Sequence, residues 1–90
     1  MPDQLQAAAH LVLGIDASNR LEHDKALKEY NKALQLQPDS GLINFYYGYG
    51  LQRLGRKAQA NAAFQKTVKM AKGEVKAAAE QALKKNKKPV

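Results

Sequence analysis

The chain carries an internal repeat with a period of 34 residues. Shifting the sequence by this distance aligns six pairs of identical or similarly sized residues: Leu11 with Phe45, Gly14 with Gly48, Ala17 with Leu51, Ala26 with Ala60, Tyr30 with Phe64, and Ala33 with Thr67. A repeat unit of this length does not bury its apolar face alone and must stack on a neighbouring copy. The period therefore restricts the chain to two similar units packed side by side.

Apolar residues within each unit recur at helical spacing. One face of a helix is marked by Ala26, Leu27, Tyr30, Ala33 and Leu34. The spacing predicts helices over about residues 3–19, 23–36, 40–54, 57–71 and 74–86. Because no stretch alternates apolar and polar residues for long enough to form a strand, the predicted fold class is all-α.

Three breaks separate the predicted helices. Pro38 ends the second helix, and Asp39 or Ser40 is expected to cap the third. Gly55 and Gly73 mark the later breaks, and Gly55 is expected to adopt the left-handed conformation that follows a helix.

The spacing of small and aromatic residues resembles the tetratricopeptide repeat family. The first unit reads Leu13-Gly14-x-x-Ala17, Ala26-x-x-x-Tyr30, Ala33 and Pro38, and the second reads Tyr47-Gly48-x-x-Leu51, Ala60-x-x-x-Phe64 and Thr67. The sequence departs from the family pattern at its leading Trp, held by His10 and Asn44, at its second Pro, held by Lys72, and at its large aromatic, held by Ala17.

The resemblance implies one domain over residues 1–90, built as antiparallel helix hairpins in a right-handed α-solenoid. Its parts would be repeat 1 at about 7–40, repeat 2 at about 41–73, a capping helix at about 74–86 and a basic tail at 84–90. The small residues would let helices approach closely, with Gly14 opposite Ala26 and Gly48 opposite Ala60. The aromatic residues Tyr30 and Phe64 would then fill the gap toward the next repeat.

The resemblance also implies that the first helix of each pair lines a concave groove that binds a partner. The groove residues would be Leu11, Ile15, Asn19, Leu42, Phe45, Tyr46, Tyr49 and Arg53. Four aromatic residues between positions 45 and 49 cannot all point inward on one helix. We expect Tyr47 to enter the core and the other three to lie partly on the groove, where they would anchor a partner. The alternative is that these rings are simply buried against the fifth helix.

Charge is unevenly distributed along the chain. Residues 1–55 hold five Lys and Arg against six Asp and Glu, whereas residues 56–90 hold ten against two. The basic run at residues 84–88 is best explained by solubility and by the dipole of the last helix, although it could contact nucleic acid or anionic lipid. The family's clamp for acidic chaperone tails consists of Lys, Asn and Arg side chains, and the corresponding positions here are Leu11, Ile15, Tyr46, Lys76 and Glu80. Only Lys76 fits, so this mode of binding is not expected.

The sequence offers no catalytic or cofactor motif. It contains no Cys, and His10 and His23 have no carboxylate at ligand spacing, so neither an enzyme nor a metal site is expected. No apolar run reaches the length of a membrane span, and no secretory leader is recognisable, which favours a soluble, cytoplasmic protein. The chain begins inside the first predicted helix, which suggests a piece of a larger protein.

These observations favour a module that binds a protein or peptide partner. The main alternative is a structural domain that self-associates as a homodimer or by exchanging helices, since two repeats bury little core. Nucleic-acid binding through the basic end is the least favoured function.

Overall fold

The computed structural model describes residues 1–87, which form five α-helices. The helices are α1 (Asp3–Asn19), α2 (His23–Leu36), α3 (Gly41–Arg53), α4 (Lys57–Met70) and α5 (Gly73–Lys87). No strand occurs among the described residues, so the all-α prediction is confirmed. The last residues of the predicted basic tail, 88–90, lie outside the described part of the chain.

Consecutive helices pack on one another along the chain. The connections at residues 20–22, 37–40, 54–56 and 71–72 are short, so each helix runs back along the one before it. The most extensive packing joins α1 to α2 and α3 to α4, and α5 covers α4. Contacts between α2 and α3 join the two hairpins.

The turn inside the first hairpin recurs inside the second with the same backbone geometry. Leu21 and Gly55 both have positive φ angles, 64° and 77°. The same hydrogen bond closes each turn at 2.9 Å, from Glu22 N to Ala17 O and from Arg56 N to Leu51 O. The left-handed residue predicted at Gly55 is confirmed, and the structure adds its equivalent at Leu21, where a side chain makes this conformation costly.

In each hairpin an aromatic ring of the second helix also packs against a glycine of the first helix. A Cβ atom on Gly48 would come within 2.7 Å of the Phe64 ring, and one on Gly14 would come still closer to the ring of Tyr30. A Cβ on Gly14 would also lie 3.2 Å from the Ala26 carbonyl oxygen, so the expected approach of these two residues occurs. The glycines are therefore required by packing rather than by backbone conformation.

Two apolar clusters form the core, one centred on each hairpin. The ring of Tyr47 packs against both clusters but is only half-buried, as are Phe45, Tyr46 and Tyr49. The start of α3 is fixed by the Ser40 hydroxyl, which accepts a hydrogen bond from Ile43 N at 3.1 Å. Thr67 joins α4 to this point, because its buried hydroxyl donates to the Gly41 carbonyl at 3.2 Å.

The two end helices present different outer faces. On α1 the outer face is apolar, with Leu5, Val12 and Leu13 exposed by 57%, 64% and 53%. On α5 the exposed residues include Lys76, Glu80 and Lys84. Among the described residues, nothing covers the apolar face of α1.

Candidate functional site

An open cleft of about 340 Å³ lies between α1 and α3, with α2 beneath it. We call it the aromatic cleft; it is lined by Ile15, Ser18, Asn19, Tyr30, Phe45, Tyr46, Tyr49, Gly50 and Arg53. These residues come together because α1 and α3 both pack on α2 and present the same helical face to one side of the molecule. Concave surfaces with aromatic walls and a few polar groups are the usual form of a binding site.

Six of the eight residues predicted for the groove line this cleft. They are Ile15, Asn19, Phe45, Tyr46, Tyr49 and Arg53. The other two residues lie elsewhere: Leu11 is buried in the first core cluster, and Leu42 is exposed but outside the lining. Leu11 is buried because it packs with residues of α2 and α3 in that cluster, whereas Ile15, one helical turn later, is only partly buried against it.

The aromatic floor of the cleft is continuous with the core of the second hairpin. The Phe45 ring centroid lies 5.0 Å from that of Tyr49, and the two rings meet edge to face. Both rings also contact the fully buried Phe64, at centroid distances of 6.0 and 5.4 Å. Phe45 and Tyr49 are therefore half-buried and held in place, with their remaining surface open to the cleft. From the sequence, these rings were expected either to lie on the groove or to be buried against the fifth helix. In the structure each ring is partly buried, in contact with Phe64 of α4, and partly open to the cleft.

Tyr46 forms the other aromatic wall together with Tyr30. Their ring centroids are 6.2 Å apart. Burial raises the pKa of the Tyr30 phenol, while the Ser18 hydroxyl and the Arg53 guanidinium act in the opposite direction. Arg53 and Tyr30 line the same cleft.

Sequence reasoning missed three residues of the cleft: Ser18, Tyr30 and Gly50. Tyr30 was assigned only to repeat packing, although its ring reaches both the core and the cleft. Gly50 lets the cleft reach Tyr30, because a Cβ atom there would lie 3.4 Å from Tyr30 Cε2. The pair of glycines in Gly48-Tyr49-Gly50 was the signal available, since a helix interior rarely keeps two glycines without a close contact.

Positive charge predominates in the lining of the cleft. Arg53 is the charged residue in its lining, and no acidic residue lines it within the described part of the chain. The closest acidic side chain along α1 is that of Asp16, whose carboxylate is 3.3 Å from Arg20 Nε. The cleft therefore combines an aromatic floor with an excess of positive charge.

One other depression on the molecule lacks converging side chains. This larger depression, of about 480 Å³, lies over the connection between α2 and α3 and is lined only by the consecutive residues Leu36 to Ser40. Volume alone does not make it a site, because residues of a single turn supply few groups that could meet on a ligand.

The histidines do not form part of a metal cluster. His10 Nδ1 lies 2.8 Å from Glu29 Oε1 and links α1 to α2. Within residues 1–87, no three potential metal ligands among His, Asp and Glu come together. None of the helices in the same range combines the length and hydropathy needed to cross a bilayer.

Comparison with known proteins gives no family assignment. No family model matches this chain, and no curated protein matches it. The function is therefore argued from the geometry of the aromatic cleft and from the internal repeat.

Proposed function

We propose that the chain is a tetratricopeptide-type repeat domain that binds a partner peptide or helix in the aromatic cleft. The observation that carries this proposal is the set of half-exposed aromatic rings fixed on a concave surface. Aromatic residues in such positions supply much of the binding energy in protein interfaces. The two hairpins would form a short right-handed solenoid with α5 as its polar cap.

The recurring geometry of the hairpins supports the repeat part of the proposal. The left-handed turn residue, the closing hydrogen bond and the glycine under an aromatic ring all recur after 34 residues. Local propensity alone would not reproduce these three features together. Their recurrence is the expected result of two copies of one structural unit.

The proposed mechanism relies on rings that are ordered before the partner arrives. The rings of Phe45 and Tyr49 pack against Phe64, so little side-chain conformational freedom is lost when a partner covers them. An apolar side chain of the partner would then displace water from the floor of the cleft. Tyr46 would close over it from the side of α3 that faces Tyr30.

Selection from a random peptide library on the immobilised chain tests this proposal. Peptides enriched on the unaltered chain should lose binding to Tyr46→Ala and to Tyr49→Ala, while far-UV circular dichroism shows that both variants stay helical. Leu42→Ala is the matched control, because Leu42 is an exposed apolar residue on the same helix outside the cleft lining. Enriched peptides that bind the two cleft variants as well as the unaltered chain would rule out this site.

The outer face of α1 favours self-association as a second candidate function. Leu5, Val12 and Leu13 form an exposed apolar stripe, and such a surface is typical of an interaction site. Sedimentation velocity over a range of concentrations should show a dimer that Val12→Gln combined with Leu13→Gln converts to monomer. Leu21→Gln serves as the control, because Leu21 is even more exposed, at 74%, and lies in a turn outside this helix. A strict monomer at high concentration would reject this candidate.

A further inference from the structure

The positive charge of Arg53 is the feature of the aromatic cleft that can select the charge of a bound partner. Arg53 is exposed at the end of α3, and within residues 1–87 it makes no ion pair. All ion pairs among the described residues involve positions between 10 and 32. The cation in the cleft is therefore available to a partner.

A hydrogen-bonded group of three amides fixes the end of α5, which carries a second cation, to the end of α3 that carries Arg53. Asn86 Nδ2 donates to Gln52 Oε1 at 2.9 Å and to Asn61 Oδ1 at 2.7 Å, which fixes the end of α5 to the ends of its neighbours. Arg53 directly follows Gln52, and Lys87 directly follows Asn86. Both cations are exposed, and the hydrogen bond between the residues that precede them holds the two helix ends together.

Neutral donor groups lie next to these cations. The cleft lining contains the hydroxyls of Ser18, Tyr30 and Tyr46 and the amide of Asn19. Each can donate a hydrogen bond to an oxygen anion. Asp16 does not offset the positive charge, because Arg20 already neutralises it, and Glu80 lies on the exposed surface of α5 beside Lys84.

We propose that the aromatic cleft selects a peptide segment in which an acidic side chain lies next to an aromatic or large aliphatic one. The apolar side chain occupies the floor formed by Phe45 and Tyr49, and the carboxylate binds Arg53 and Lys87. This inference rests on the proposed function and names the class of partner. The guanidinium can hold a carboxylate through two parallel hydrogen bonds, which gives both strength and orientation.

The same peptide library tests the inference with charge variants of the chain. Peptides enriched on the unaltered chain should contain Asp or Glu beside a large apolar residue. Arg53→Gln should weaken the best of them by about tenfold or more, the loss expected for one charge-assisted hydrogen bond. Lys87→Gln should weaken the same peptide by a smaller factor, since a lysine acts as a point charge.

A reversed charge sharpens the test. Selection on Arg53→Glu should lose the preference for acidic residues, and a peptide with Lys in place of its acidic residue should bind this variant better than the unaltered chain. Lys69→Glu is the control, because Lys69 is an exposed cation on α4 outside the cleft lining. An equal loss on Lys69→Glu would mean that only the net charge of the domain matters, which overturns the inference.

The outcomes separate this inference from the function on which it rests. If enriched peptides need Tyr46 and Tyr49 but carry no acidic residue, the cleft binds a partner and the inference is wrong. Arg53 would then serve only to complement the dipole at the end of α3. If no enriched peptide depends on the two tyrosines, the proposed function itself fails.

Discussion

The two hairpins share one backbone design but differ in how their surfaces are used. The first hairpin, α1 and α2, contains every ion pair among the described residues and exposes an apolar face on α1. The second, α3 and α4, lies between α2 and α5 and supplies most of the aromatic rings of the cleft. Similar turns and similar glycine contacts therefore support two different surfaces.

The difference shows which positions the fold constrains. The glycine and aromatic pair must recur because the helices touch there, and the turn must recur because the chain reverses there. Positions outside these repeated contacts differ between the hairpins. On α3 they supply three aromatic rings of the cleft, and on α1 they supply the apolar stripe.

The largest effect is expected from removing the ring that closes each hairpin. Phe64→Ala should lower the free energy of unfolding by about 3–5 kcal/mol, because Phe64 is fully buried and contacts two other rings. Tyr30→Ala should cost less, about 2–3 kcal/mol, since its ring opens on the cleft. Urea unfolding followed by circular dichroism measures both losses. A larger loss for Tyr30→Ala would show that the first hairpin carries the main core.

Substitution of the glycines under these rings should have the next largest effect. Gly48→Ala should destabilise the domain by about 1–3 kcal/mol, because its Cβ would lie 2.7 Å from the Phe64 ring. Gly14→Ala should behave alike if the hairpins are equivalent. Gly50→Ala is the control: its Cβ would meet a Leu27 methyl at 3.1 Å, and the better helix propensity of Ala offsets this contact to within about 1 kcal/mol. Unchanged stability of Gly48→Ala would mean that the ring can move aside.

Substitution of the left-handed turn residues should change the stability of the domain by a smaller amount. Leu21→Gly should stabilise the domain by about 1 kcal/mol, because Leu21 has a φ of 64° and its side chain is 74% exposed. The reverse substitution at the equivalent position, Gly55→Leu, should destabilise the domain by about 1–2 kcal/mol through backbone conformation alone. A Cβ at Gly55 would meet nothing within 4 Å, so a steric clash does not contribute. Thermal unfolding of both variants checks the pair, and a destabilised Leu21→Gly would contradict this explanation.

The smallest effect is expected from the contact between His10 and Glu29 that joins α1 to α2. The hydrogen bond with His10 lowers the pKa of the Glu29 carboxyl, burial opposes this shift, and the Lys32 ammonium lowers the pKa further. Because the folded-state pKa is depressed, this stabilisation is present above about pH 4.3 and is lost as the pH falls through the folded-state value. Glu29→Gln should therefore be less stable than the unaltered chain by about 0–1 kcal/mol at neutral pH.

Urea unfolding at neutral and acid pH checks this sign. The stabilities of Glu29→Gln and of the unaltered chain should converge in acid. Glu80→Gln is the matched control, because Glu80 is exposed and makes no ion pair among the described residues. A stability difference between Glu29→Gln and the unaltered chain that persists unchanged in acid would show that the contact is stabilised by side-chain packing and not by the charge of the carboxylate.

The sequence alone determined the helices, their approximate limits and most of the cleft residues. Helical spacing, Pro38 and Gly55 were sufficient for the first two, since these signals act over a few neighbouring residues. The period of 34 residues predicted which small and aromatic residues recur. It did not show which ring each glycine touches, because that depends on how closely two helices approach.

Only the tertiary structure decided how each surface residue is used. Leu11 and Ile15 are one helical turn apart, yet packing against α2 buries the first and leaves the second in the cleft. The amide contact between Gln52 and Asn86 likewise joins the ends of α3 and α5 from distant parts of the chain. Such juxtapositions arise from the angles and distances between helices, which periodicity along a single helix does not specify.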